Sequence, residues 1–424
     1  MKKYILPLLL VALTIGCKNK KTVAEEDKKE LADNGMTIVE TATGPVELAA
    51  PFASESVNNS SKVIGWEENQ SPKAPEGFTV TRFATDLKHP RWTYVAPNND
   101  IFVAESDTKD SANRITLLRD NDKDGTVDDQ FVFMEGLNQN FGMLVLGDFF
   151  YVANTDGLYR YPYTAGQTEM TAEGEKIVAL SASGYNNHWT RNIITNEAKD
   201  KIYISVGSAS NVGDQGMEKE ERRANILEVN PDGSGEIVYA DGLRNPVGMD
   251  WNPETGELWT AVNERDELGN NLVPDYATSV KKGGWYGWPY SYYGQIKDPR
   301  WSDDPHQEMV DKAIVPDVPL GSHTASLGLT FYTADNFPDL YKNGAFIGQH
   351  GSWNREPFSG YKVVFIPFES GKPQQPQDFL TGFIDTNDES KVYGRPVCVA
   401  TAPDGSLLVN DDDSGIIWRV AASK

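Results

Sequence analysis

From Gly77 to the C-terminus the chain repeats one phrase, a turn-prone and often charged cluster followed by an aromatic or β-branched run. The phrase occurs as APNNDIFVAE from Ala96, LVLGDFFYVAN from Leu144, TNEAKDKIYISVG from Thr195, WNPETGELWTAVN from Trp251, LYKNGAFIGQH from Leu340 and APDGSLLVNDD from Ala402. With Ile101, Phe150, Ile202, Leu258, Ala345 and Leu407 as markers, the intervals are 49, 52, 56, 87 and 62 residues. Short apolar runs between Pro-Asp-Gly and Asn-Gly signals, without long helical periodicity, predict an all-β architecture. Repeats near 50 residues point to a β-propeller, in which each blade buries its faces against its neighbours. Six phrases predict six blades, and the 87-residue interval predicts a long insertion rich in loops. A β-sandwich needs fewer strands, and separate domains would call for a linker that the sequence after residue 77 does not contain.

The pattern changes before residue 77. Met1-Lys2-Lys3 and the apolar run Ile5–Ile15 read as the n- and h-regions of a signal peptide. Leu13-Thr14-Ile15-Gly16-Cys17 resembles a bacterial lipobox, which implies cleavage before a lipidated Cys17. The expected division is therefore a signal peptide at 1–16, a lipidated N-terminus and tether at 17–76, and the propeller at 77–424. Within the tether Ile38–Leu48 reads as a peripheral strand. The expected location is the bacterial cell envelope, lipid-anchored on the periplasmic or the outer-surface face, the alternative being an ordinary secretory signal in which Cys17 is incidental. Cys398, flanked by Val397 and Val399, then has no intrachain partner and reads as a buried structural thiol.

Charge narrows the partners. Against 39 Lys and Arg stand 62 Asp and Glu, a formal charge of −23, which argues against nucleic acid. Any anionic ligand therefore needs a local basic pocket.

Several loops carry candidate chemistry. His188, in Tyr185-Asn186-Asn187-His188-Trp189-Thr190-Arg191-Asn192, is a candidate proton acceptor or a histidine that pins its loop. Gly242-Leu243-Arg244-Asn245-Pro246 joins a cation to an amide, suited to an anionic or carbonyl-rich ligand or to tying blades together. Oxygen ligands for a hard cation occur around Arg265 and Asp266 in NERDELGNN, and Gly283–Tyr290 is glycine- and aromatic-rich. Asp120, Asp122, Asp124 and Asp128 match the front of an EF-hand-like loop, although Phe131 stands where the full motif has Glu and no helix flanks it. That loop reads either as a calcium site or as a solvated turn.

The combination says more than its parts. NHWTRN, GLRNPVG, NERDELGNNLVPDY, KKGGWYGWPYSYYG, GSHTASLGL, GQHGSWNR and YGRPV follow in this order. Together they resemble the PQQ-dependent glucose/sorbosone dehydrogenase family, most closely its sorbosone-dehydrogenase-like branch, over roughly residues 77–422. The resemblance implies a six-bladed propeller whose top-face loops bind pyrroloquinoline quinone (PQQ) and Ca²⁺. It also implies oxidation of an aldose or sugar-derived aldehyde, with electrons passed to an external acceptor. By the same resemblance His188 is the base, and Arg244, Asn245 and Arg395 contact the quinone. Backbone carbonyls around Arg265 and Asp266 would meet the calcium. His350 or Arg355 would stand in for a family lysine that this chain lacks, and the family's acidic helper to the base is replaced within Gly207-Ser208-Ala209-Ser210-Asn211. Two alternatives are a non-catalytic ligand-binding propeller and a calcium-dependent lactonase-like hydrolase.

Overall fold

All six markers fall in the second strand of a four-stranded antiparallel unit, in Ile101–Glu105, Phe149–Asn154, Ile202–Val206, Leu258–Val262, Ala345–Gln349 and Leu407–Asp411, and the sheet of Ile202–Val206 gains a fifth, parallel strand. These sheets are the blades of a six-bladed propeller, seen in a computed structural model that describes residues 35–108, 111–182, 185–303 and 305–423. Blade 1 begins at Pro90, and the blades follow the chain to blade 6, which begins at Pro396. Blade 6 takes its outer strand, Phe78–Ala84, from the start of the propeller, so the ring closes by pairing the two ends of the chain. The signal sequence and Cys17 lie outside the described residues. Among those residues no helix is long and apolar enough to cross a membrane.

The innermost strands crowd the axis. A methyl group on Gly248 of blade 4 would lie 2.2 Å from the Leu329 nitrogen of blade 5, and one on Gly328 would lie 2.4 Å from the Val397 carbonyl of blade 6. Glycine is required there because neighbouring backbones meet with no room for a side chain. Between blades 1 and 2 the rings of Phe102, Phe133, Phe150 and Tyr163 fill the interface. Cys398 is fully buried in the inner strand of blade 6, and burial pushes its thiol up to about 12.

Antiparallel alternation sorts the loops between two faces. The entry to each inner strand and the turn between second and third strands share one face, here called the top. The 87-residue interval is an insertion between Pro274–Ser279 and Val318–Ser322 of blade 4. Within it Gly284–Trp285 pairs in parallel with the outer strand of blade 3, so the insertion bridges two blades.

The N-terminal region packs on the propeller. Thr37–Thr41 and Gly44–Leu48 form a hairpin, and Leu48 is buried in a cluster with Leu268 and Leu272. Lys62–Val63 then pairs in parallel with Lys391–Val392.

Candidate active site

A cavity of about 230 Å³ opens on the top face at the propeller axis. Its lining comes from the entries to the inner strands (Arg91, Asn245, Arg395), from the connections between blades (His188, His323) and from the top turns (Asp266, His350, Asn354). Three inner strands begin with proline, at His89-Pro90, Asn245-Pro246 and Arg395-Pro396. Proline's fixed φ sets the direction in which the chain enters the sheet, and before Pro90 the chain turns through His89 at φ +54°.

His188 is buried, with its ring Nδ1 3.0 Å from the Ser208 carbonyl and 2.9 Å from the Ser208 hydroxyl. A carbonyl has no proton to give, and the hydroxyl donates to the Ser210 carbonyl at 2.6 Å. Nδ1 therefore carries the hydrogen, and Nε2 keeps a lone pair in a cavity-lining ring. Burial, and after it the Arg244 guanidinium, hold this histidine well below its ordinary value, so it is neutral at physiological pH. Arg223 braces the same loop, donating to the carbonyls of His188 at 2.9 Å and Ser208 at 3.1 Å. The carboxylate that holds this loop is Glu220, which accepts from the Ala209 and Ser210 amides at 2.6 and 2.9 Å. It fixes the loop that fixes the histidine. Asp214 lies further along and accepts from the Val212 amide.

Arg244 does not line the cavity. Its guanidinium is directed to the Glu264 carbonyl at 2.7 Å, the Asn211 side chain at 2.9 Å and the Asp266 carboxylate at 3.0 Å. Asp266 also receives Asn354 Nδ2 at 3.0 Å and faces His323 Nδ1 at 3.3 Å. His323 Nε2 donates to the Gly269 carbonyl at 2.9 Å. Burial opposes charge on His323, but the Asp266 carboxylate raises its pKa, so Arg244, Asp266 and His323 form one buried ion network. Asn245 lines the cavity, and its buried Oδ1 has no partner, nor has that of Asn354. A methyl on Gly207 would meet Asn245 Oδ1 at 2.2 Å and His188 Cβ at 2.6 Å, so only glycine lets these two groups sit together.

The opposite wall carries two arginines, each with a carboxylate partner: Asp412 for Arg91 and Asp413, at 3.6 Å, for Arg395. Arg395 donates to the carbonyls of His350 and Gly351 at 3.0 Å each and lies over the Tyr361 ring. Arg91 pairs with Asp412 and lies over Trp189. His350 Nε2 is 2.9 Å from Asp412, and burial, followed by Arg395, pushes His350 down to about 3.

Two predicted contacts fall elsewhere. Arg355 is not among the lining residues; it holds the Asn270 carbonyl and the Asn271 side chain, both at 2.9 Å. The Arg265 side chain is fully buried and ties the blade 4 insertion through Asp298 at 3.1 Å and the carbonyls of Pro289 and Ser291. The Asp266 carbonyl, expected to face a metal, accepts from Arg300 at 3.0 Å and Asn211 at 3.2 Å.

The acidic loop lies apart. Asp120, Asp122 and Asp124 bring carboxylate oxygens within 4.8 Å of one another, between the third and fourth strands of blade 1. That turn belongs to the bottom face. Asp128 Oδ2 accepts from the Asn121 amide at 2.6 Å across the same turn. Sequence reasoning did not single out Arg91 or Asp412 and left His323 unranked. The usable signal for Arg91 was Pro90, which opens an inner strand as Pro246 and Pro396 do, although Arg91 follows its proline where Asn245 and Arg395 precede theirs.

With this geometry in hand, the sequence matches the TrAA12-like family model over residues 72–290 and 297–423. The chain belongs to the TrAA12-like family. An uncharacterized protein of Borreliella burgdorferi is 29% identical over 86% of this chain and 95% of its own length. A pyrroloquinoline quinone-dependent pyranose dehydrogenase of Coprinopsis cinerea is 24% identical over 81% of this chain, which spans 54% of that enzyme's length. The calcium structure of the Trichoderma reesei family AA12 protein superposes with a TM-score of 0.69 at 18% identity, covering 86% of this chain and 99% of the other. That likeness is one of fold.

Proposed function

We propose that the top-face cavity binds PQQ and Ca²⁺ and that the protein oxidises an aldose or a sugar-derived aldehyde. The observation that carries this reading is the pairing, in one small cavity, of a neutral histidine with a fixed Nε2 lone pair and a wall bearing Arg91 and Arg395. In a chain of formal charge −23, such a pair of arginines suits a planar anion with several carboxylates. The Coprinopsis relative and the calcium-bound family AA12 structure support the choice of cofactor and metal.

The residues divide the work. Arg395 and Arg91 hold the cofactor's carboxylates, with Trp189 and Trp353 as aromatic walls. Asn245 and Asn354 offer unpartnered amide oxygens which, with the Asp266 carboxylate already held by Arg244 and Asn354, are among the cavity's oxygen ligands for a hard cation or for substrate hydroxyls. His188 Nε2 takes the proton of the reacting hydroxyl, and the resulting charge is shared through Nδ1 with Ser208. When bound, PQQ supplies the acceptor for the hydride leaving the substrate carbon. Turnover would then need an external electron acceptor. By resemblance the substrate is closer to that of the sorbosone-dehydrogenase-like branch than to glucose. Lipidation at Cys17 would hold the enzyme at the cell envelope.

The test is steady-state turnover. Purified protein supplied with PQQ and Ca²⁺ should reduce an artificial acceptor in the presence of aldoses or aldehydes. No turnover across such a panel, together with no PQQ binding, would rule out the assignment.

A further inference from the structure

The segment between the N-terminal hairpin and the propeller runs over the top face and latches to three cavity loops in turn. The Phe52 amide donates to the Leu268 carbonyl at 2.8 Å, and the Asn270 amide donates to Ser54 Oγ at 2.8 Å. These bonds flank Gly269, whose carbonyl receives His323. Further along, the Asn59 amide donates to the Trp353 carbonyl at 2.6 Å and Asn59 Nδ2 to the Arg355 carbonyl at 2.9 Å. Between these two carbonyls sits Asn354, which lines the cavity and holds Asp266. Last, Trp66 Nε1 donates to Asp411 Oδ2 at 2.8 Å, while Asp411 Oδ1 accepts the Arg395 amide at 2.8 Å. The Trp66 ring also packs on Tyr393, with centroids 4.9 Å apart.

We propose that residues 52–66 form a strap that assembles the cofactor cavity, with Asn59 and Trp66 as positioning residues acting through Asn354 and Arg395. The three loops come from blades 4, 5 and 6, and one segment outside the repeats ties them together. Its bonds are to the backbone of the loops and to a buried carboxylate, so they fix where the loops lie without entering the cavity. The ligand named in the test rests on the function proposed above; the strap itself does not.

The experiment compares wild type with the Asn59→Ala/Trp66→Phe double variant and with Asn59→Ala alone. Trp251→Phe is the control, because Trp251 Nε1 makes a single bond of the same length, to the Thr195 carbonyl at 2.8 Å, on the bottom face. PQQ affinity is read from the cofactor's absorbance, and loop order from hydrogen exchange of residues 349–362 and 391–396. The double variant should raise the Kd for PQQ by about 10-fold, the effect typical of losing outer partners of a site. Exchange in those loops should quicken, and turnover at saturating PQQ should persist. Asn59→Ala alone should shift both readouts in the same direction by less. An unchanged Kd in the double variant, or an equal rise in Trp251→Phe, overturns the proposal. If wild type binds no PQQ, the proposed function fails on its own; the strap then stands or falls on exchange, and unaltered exchange overturns it.

Discussion

The two walls of the cavity are built on opposite plans. On the wall from blades 3 and 4, His188 is neutral, its tautomer set by Ser208 and its loop set by Glu220 and Arg223. Arg244 there is consumed by Asn211, Glu264 and Asp266 and leaves no donor facing the cavity. On the wall from blades 5, 6 and 1, Arg395 and Arg91 line the cavity directly. One wall fixes a lone pair; the other presents charge. A guanidinium whose donors are all taken acts as scaffolding, whereas Arg395, although it holds the carbonyls of His350 and Gly351, still lines the cavity where a ligand can reach it. Two arginines with similar sequence surroundings, Arg244 before Asn245-Pro246 and Arg395 before Pro396, thus have different tasks.

The largest test of this division is His188→Ala. It should cut turnover by about 10²- to 10⁴-fold, the usual contribution of a positioned general base, while PQQ binding changes little. Normal turnover in this variant would remove the base assignment. Replacing Arg395 by Ala should do the reverse. Losing a hydrogen bond to a charged group costs about 1.5–3 kcal/mol, so the Kd for PQQ should rise by roughly 10- to 100-fold, with turnover largely kept at saturation. A fall in turnover without loss of affinity would mean that the walls do not divide the work.

The two histidines should differ in their response to pH. Because burial and Arg244 depress His188, kcat/KM should show no loss as pH falls through about 6.5, the ordinary histidine value, and should decline only at more acidic pH. A limb near 6.5 would contradict the buried, neutral base. His323 has a raised pKa in the fold, so its contribution to stability is complete below about 6.5 and is lost as pH rises through its higher folded value. The difference in Tm between wild type and His323→Gln should therefore shrink as the solution is made alkaline. The smallest effect belongs to the acidic loop. Asp122→Ala should leave PQQ affinity untouched and reduce only the calcium-dependent part of Tm, because that turn lies on the bottom face.

Much of the fold was legible because blade strands leave local signals. Each marker lies in the second strand of its blade, since a turn followed by a β-branched or aromatic run is all that such a strand needs. The 87-residue gap likewise marked the insertion. Of the site, His188, Asn245, His350 and Arg395 could be named from their motifs, and the cavity brings them together. The direction of each side chain could not be read. Arg244 finds its acceptors about twenty residues later in the chain, at Asn263 and Glu264, and Arg355 finds its own in Asn270 and Asn271. Those partners are fixed by how the blades close, which no local pattern records.

The central claim meets its most direct test in a single anaerobic turnover. Protein loaded with PQQ and Ca²⁺ is mixed with excess aldose or aldehyde, without any acceptor, and the quinone absorbance is followed. Loss of the oxidised quinone signal, in proportion to bound PQQ and much slower in His188→Ala, is the predicted result. Bound PQQ that stays oxidised with every substrate offered, or that is reduced equally fast without His188, would contradict it.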